Sequence, residues 1–240
     1  MTRLGKFGGS ALLLLLVTAN ASAADLSAAR PYVKAPAAAE AFSWSGFYVG
    51  ANGGYGWAGA STTDAVIRTS TSHTATGGLA GAQIGYNWQV APWVFGIEAD
   101  GDWASIKGSA PCPNVGFNCG SETQALASLR GRIGWASGPT LLYATGGLGY
   151  ASARYMATTG AAGLPVVGVT GSFTSDRWGW ALGGGVEYGF ARNWSAKLEY
   201  LHYGFNDVTM PPGALSANPV NASLRVDTIK VGINYHFGAN

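Results

Sequence analysis

The segment Ile229-Lys230-Val231-Gly232-Ile233-Asn234-Tyr235-His236-Phe237 alternates apolar and polar side chains. That alternation belongs to an extended strand, whose neighbouring side chains point to opposite faces. Ile229, Val231, Ile233, Tyr235 and Phe237 then share one face, and Lys230, Asn234 and His236 share the other. An uncharged face suits lipid and a polar face suits an enclosed lumen. Strands cross a bilayer only where a closed barrel satisfies every backbone hydrogen bond, so the segment reads as the closing strand of a membrane β-barrel.

The other end of the chain directs export. Arg3 and Lys6, the apolar run 11–17 and the small-residue site Ala21-Ser22-Ala23 are the three parts of a signal peptide over residues 1–23. No other stretch offers the roughly 18 consecutive apolar residues of a spanning helix. Removing Arg3 and Lys6 from the 14 basic residues leaves 12 against 12 acidic ones, a neutral chain with nothing to draw nucleic acid. Charged residues make up only 11% of the sequence, beside 37 Gly, 9 Trp and 11 Tyr, which favours a surface facing lipid over one facing water.

Residues 24–43, with Ala35-Pro36-Ala37-Ala38-Ala39, read as an Ala/Pro-rich periplasmic linker, and 44–240 as the barrel domain. Eight Gly- and aromatic-rich alternating segments are expected as strands at 47–57, 79–89, 94–103, 123–135, 141–151, 177–190, 194–204 and 225–237. The connections at 90–93, 136–140 and 191–193 are short, whereas those at 58–78, 104–122, 152–176 and 205–224 are long and polar. The pattern predicts an all-β, eight-stranded antiparallel up-and-down transmembrane β-barrel with short periplasmic turns and long extracellular loops. Phe47, Trp57, Trp88, Trp103, Trp135, Trp180, Phe190, Trp194, Tyr200 and Phe237 fall on the apolar faces near strand ends, as two aromatic girdles require.

The opposite faces carry Glu98, Asp100, Asp102, Glu187 and Glu199 with Arg130, Arg132, Arg177, Lys197 and Lys230. Five acids and five bases make a balanced polar interior. In an eight-stranded barrel the interior is about wide enough for side chains to fill, so these groups are expected to interlock as ion pairs rather than line a wide channel. Pairing Phe190 with Trp194 across the short turn sets Glu187 opposite Lys197, whose charges should meet. Placing Phe95 and Trp135 in one girdle sets Glu98 opposite Arg132 and Asp100 opposite Arg130. A soluble lipocalin-like barrel, with its apolar side inward, is the alternative architecture.

Several motifs point away from chemistry. Gly54-Tyr55-Gly56-Trp57-Ala58-Gly59 matches GxGxxG, but no helix follows to offer its N-terminus to a phosphate. Cys112 and Cys119 are the two cysteines of the chain, and after export a disulfide closing a loop is the default. No metal site is expected, because no further Cys or His lies near them in sequence, and no cofactor is expected either. Catalysis needs a nucleophile, a base and an orienting group together, and His73, His202 and His236 sit in different parts of the pattern, so no enzyme is expected.

The sequence resembles the small outer-membrane barrels of the OmpA transmembrane-domain type, and most nearly the RopB-like immunogenic surface proteins of rhizobia. The likeness rests on the exported leader with Asp25-Leu26 and Ala29-Arg30-Pro31, on Trp44-Ser45-Gly46-Phe47-Tyr48-Val49-Gly50 and on Gln83-Ile84-Gly85-Tyr86-Asn87-Trp88. Gly96-Ile97-Glu98-Ala99-Asp100, Leu129-Arg130-Gly131-Arg132-Ile133-Gly134 and Leu142-Tyr143-Ala144-Thr145-Gly146-Gly147 complete it. Gly238-Ala239-Asn240 run past the aromatic residue on which such proteins often end. The resemblance implies an integral outer-membrane protein of a Gram-negative cell, contributing to envelope integrity and surface antigenicity. Its partners would be outer-membrane lipid, periplasmic chaperones and the barrel-assembly machinery. A narrow passive pore and a loop-borne receptor or adhesin, for example for haem, are the other two readings.

Overall fold

A computed structural model of the protein describes residues 42–66, 68–111, 117–159, 164–165, 172–213 and 218–237. The expected signal peptide, residues 24–41 of the expected linker, and Cys112 lie outside the described residues. Eight long strands build the wall: β1 (Gly46–Asp64), β2 (Ser70–Val90), β3 (Trp93–Pro111), β4 (Phe117–Ser137), β5 (Thr140–Thr159), β7 (Ser172–Ala191), β8 (Trp194–Phe205) and β10 (Val220–Phe237). Two short strands, β6 (Leu164–Pro165) and β9 (Val208–Met210), pair with β5 and β10. Each long strand pairs antiparallel with its neighbours, and β1 pairs with β10 from Phe47 opposite Phe237 to Asp64 opposite Val220. Along the length of β8 the sheet is a closed ring with no free edge, as a bilayer demands.

At one end the strands are joined by two-residue turns, Ala91-Pro92, Gly138-Pro139 and Arg192-Asn193, where the sequence placed its short connections. Gly138 has φ +57°, a left-handed conformation that glycine enters without a Cβ clash. The other end differs from expectation. β1 runs on to Asp64 and β2 starts at Ser70, while β4 and β5 stay paired from Ser137 opposite Thr140 to Phe117 opposite Thr159. Most of the stretches read as long polar loops are therefore strand. Their Ser- and Thr-rich outer faces show no apolar stripe, yet backbone pairing needs none, and Thr is at home in strands.

Aromatic residues mark the membrane. Phe47 and Trp57 on β1, Trp93 and Trp103 on β3, and Trp180 and Phe190 on β7 each stand ten residues apart along their strand. At ~3.4 Å per residue and a tilt of ~40° that spacing covers about 25 Å, the height of an apolar band. Nine of the ten expected girdle residues are exposed and Trp57 is half-buried. Strands of about 20 residues reach roughly twice that height, so a second tier of barrel rises beyond the outer aromatic ring. Register shifts between Trp103 and Ile106 and between Thr123 and Ala125 fall where the two tiers meet, as bulges do where a sheet changes course.

Candidate functional site: the filled interior

Inward positions continue unbroken along each strand apart from the bulges, but what occupies them changes with height. In the membrane tier all of the predicted ion-pair residues, Glu98, Asp100, Arg130, Arg132, Glu187, Lys197, Glu199 and Lys230, are buried, none above 6% exposed. Glu98 is the hub. It accepts from Tyr48 Oη at 2.8 Å, Arg130 Nη2 at 2.7 Å and Lys197 Nζ at 2.9 and 3.0 Å, with Arg132 Nη1 at 3.7 Å. Arg130 also reaches Asp100 at 2.9 Å and Glu199 at 3.1 Å, and its Nε donates to Ser128 at 2.7 Å. Lys230 holds Asp100 and Asp102, both at 2.8 Å. Arg132 pairs with Glu187 at 2.8 Å and lies 4.0 Å from the ring centroid of Tyr143, whose hydroxyl donates to Glu199 at 3.0 Å. An amide chain closes the remaining side: Asn52 donates to Gln83, Gln83 to Asn234, and Asn234 to Glu187, at 2.7, 2.8 and 2.7 Å.

Glycine makes room for this network. A Cβ at Gly85 would stand 2.3 Å from Tyr48 Oη, so only glycine lets that tyrosine cross to Glu98. Two of the expected pairings are corrected. Glu98 stands opposite Arg130 and Asp100 opposite Ser128, because Trp93, not Phe95, faces Trp135; the long connection left that register unconstrained. Glu187 does stand opposite Lys197, although a bulge after Gly189 sets Ala191, not Phe190, against Trp194. Their charges do not meet. Glu187 goes to Arg132 and Lys197 to Glu98, since in a narrow cylinder a long side chain reaches across the axis as easily as to its neighbour.

Below the charged layer, Phe42 and Trp44 fold into the mouth at the short-turn end. Trp44 is fully buried, receives Gln89 Oε1 on its backbone N–H at 3.0 Å and packs with Val94, Ala136, Leu141 and Tyr143. Phe42, expected in the linker, lies 4.6 Å from Trp44 and 5.4 Å from His236, ring to ring. Above the charged layer, the interior of the outer tier is mainly apolar. Ala58, Ala60, Leu79, Ile106, Leu126, Leu201, Tyr203, Leu224 and Val226 are among its buried core. The sequence carries the sign: Val220, Ala222, Leu224 and Val226 alternate with Asn221, Ser223, Arg225 and Asp227, a strand pattern of reversed polarity that begins inside the expected loop at 205–224 and runs into the expected strand at 225–237.

The three histidines are apart, with different partners. His73 contacts Ser121 Oγ at 2.7 Å in the outer tier, and burial pushes its imidazole below the ordinary value. His202 meets Asp227 at 2.7 Å on the outer surface, where Tyr200 also donates to that carboxylate at 2.6 Å. His236, sealed at the lower mouth, has both Ser195 Oγ (2.9 Å) and Glu187 Oε1 (3.5 Å) against the same nitrogen, Nε2. A nucleophile and an orienting acid need opposite nitrogens of the base, so this Ser-His-Glu group is built as a hydrogen-bonded knot. Cys119 is disulfide-bonded and sits on β4. Among the described residues no cluster of His, Cys, Asp and Glu could hold a metal ion.

A closed antiparallel ring with an apolar belt, two aromatic rings and a charged interior defines an integral outer-membrane β-barrel protein. The chain belongs to the Outer membrane protein beta-barrel domain family, which matches residues 10–237. It is 31% identical to the 31 kDa outer-membrane immunogenic protein of Brucella melitensis biotype 1, over 95% of this chain and 98% of that protein. It is 30% identical to the 22 kDa outer membrane protein of Rhizobium leguminosarum bv. viciae, over 81% of this chain and 79% of that one. Among solved structures, the outer membrane protein OprG from Pseudomonas aeruginosa aligns with TM-score 0.47 and 14% identity, over 82% of this chain and 99% of OprG.

Proposed function

We propose that the protein is a closed, structural surface barrel: it strengthens the outer membrane and presents its four outer hairpins to the outside, without conducting solutes or carrying out catalysis. The observation that carries this reading is the interior filled at three levels, with Trp44 and Phe42 below, the Glu98 network in the middle and the Leu126–Leu201 region above. Related proteins named as immunogenic support surface-exposed, antigenic hairpins here. The Cys112–Cys119 disulfide would tie one of them, and periplasmic chaperones and the barrel-assembly machinery would deliver the chain after cleavage of residues 1–23.

Planar-bilayer recording of the purified protein tests the reading. The expected result is a silent bilayer, with openings that stay absent when Phe42 and Trp44 are both replaced by alanine, because two further layers still fill the bore. Steady conductance from the unaltered protein would favour the narrow pore.

A further inference from the structure

Five acids and five Arg or Lys side chains among the described residues are buried in the interior, but their charges are not balanced where they stand. Arg130, Arg132, Lys197 and Lys230 each have two or more carboxylate partners within 4 Å, drawn from Glu98, Asp100, Asp102, Glu187 and Glu199. The fifth cation, Arg177, is elsewhere. It lies on β7 in the apolar outer tier, 1% exposed and opposite Ala151. Its Nη1 donates to the Ala222 carbonyl at 2.9 Å, while Nε and Nη2 have no partner. The guanidinium lies 5.1 Å from the ring centroid of Tyr155, whose buried hydroxyl is likewise unpartnered.

Nε and Nη2 form one edge of the guanidinium, with two N–H groups pointing the same way. That edge matches the two oxygens of a carboxylate, which it binds with parallel hydrogen bonds. A buried cation without a close counter-charge is strongly disfavoured. Asp207, exposed on the β8–β9 connection, acts on Arg177 but forms no ion pair with it, so a carboxylate on the free guanidinium edge would supply the contact that Asp207 does not. Ala151 opposite it, Tyr155 against its guanidinium and Ala222 at its Nη1 belong to the apolar core of this tier and suit a hydrocarbon tail. The wall beside Arg177 also differs from the rest. The β7–β8 ladder ends at Gly179 opposite Phe205, and beyond it, among the described residues, β7 keeps its pairing with β5 and a single bond from Asn206 N to Trp178 O at 3.2 Å. That seam opens toward the aqueous side of the outer ring.

We propose that Arg177 anchors a binding site for one small aliphatic monocarboxylate inside the extracellular tier, entered through the seam between β7 and the β8–β9 connection. Thermal unfolding of the refolded protein in detergent, followed by the shift of the folded band on unboiled gels, tests it. Sodium formate, acetate and butyrate are compared with sodium chloride at equal ionic strength. The expected result is a midpoint higher in the carboxylates than in chloride, by about 3 °C for a ligand at roughly tenfold its dissociation constant, with butyrate above formate. Arg177→Met should lose the difference and, in chloride, unfold no lower than the unaltered protein. Arg177→Lys keeps the charge but not the two-donor edge, so it should lose most of the carboxylate preference. Equal midpoints in chloride and carboxylate for the unaltered protein, or an undiminished preference in Arg177→Met or Arg177→Lys, overturns the proposal.

Discussion

β10 is one strand in two solvents. From Ile229 to Phe237 its apolar residues face out and Lys230, Asn234 and His236 face in; from Val220 to Val226 its apolar residues face in and Asn221, Ser223, Arg225 and Asp227 face out. Thr228 marks the change. β2 does the same, with Trp88, Tyr86 and Ile84 outward below and Thr76, Thr74 and Ser72 outward above. The membrane tier buries polar groups because its exterior is already apolar, while the outer tier is organised like a soluble barrel, burying hydrocarbon because water surrounds it. One backbone register serves both, because the inward direction is set by parity and not by polarity.

Several substitutions break or sharpen that contrast. The largest effect is expected at Glu98→Ala, which takes a shared carboxylate from Arg130, Arg132 and Lys197 and leaves buried charge underpaired. Stability should fall by about 3–5 kcal/mol, read as a lower temperature for loss of the folded gel band. In the outer tier Leu126→Ala should cost about 2–5 kcal/mol by leaving a cavity; the contrast fails if this change is harmless, since the outer core would then carry no load. Next, Val231→Arg places a charge against lipid and should cost about 2–4 kcal/mol. The same replacement at Asn221, on the same face of the same strand, should stay within about 0.5 kcal/mol, as measured by urea titration in lipid vesicles. Equal costs at both positions would put the membrane boundary elsewhere.

Smaller still is the coupling inside the charged layer. A double-mutant cycle on Lys197 and Glu98 should give an interaction of about 0.5–3 kcal/mol, and one on Lys197 and Glu187, which face each other without touching, markedly less. The weakest effect is a pH dependence confined to the outer tier. Because burial holds the folded His73 below its ordinary value near ~6.5, the unfolded form gains its proton first as pH falls. Stability is then full above that value and is lost as pH drops through the folded one. Proteolysis of the outer hairpins should therefore quicken modestly on going from pH 8 to pH 5, and His73→Gln should flatten the response.

Particular residues show why parts of the site were legible. Lys230, Glu199 and Arg130 stood out in the sequence because a charge on an otherwise apolar alternating strand has one plausible direction, and all three face inward. Their partners were legible only in part: Arg130 does meet Asp100, at 2.9 Å, but from a register two residues away from the one expected. The counting that set Glu98 against Arg132 needed a register across a long connection, and an error of two residues leaves every face unchanged. Phe42 and Trp44 gave no sign of closing the lower mouth, since nothing local distinguishes a residue that turns into a barrel from one in a linker. Ala222 and Leu224 were hidden for a different reason: their strand was sought with the polarity of the membrane tier.

The amino-acid order by itself determined the architecture: eight crossing strands, which residues turn inward, and where the aromatic rings fall. These follow from side-chain alternation and solvent preference, both properties of short segments. Which charge meets which, where the lower mouth is corked, and how Arg177 came to stand apart from the Glu98 network were decided by closure of the ring. Those relations join residues far apart in the chain, Gln83 and Asn234 by 151 positions and Phe42 and His236 by more, and no local pattern carries information over such separations.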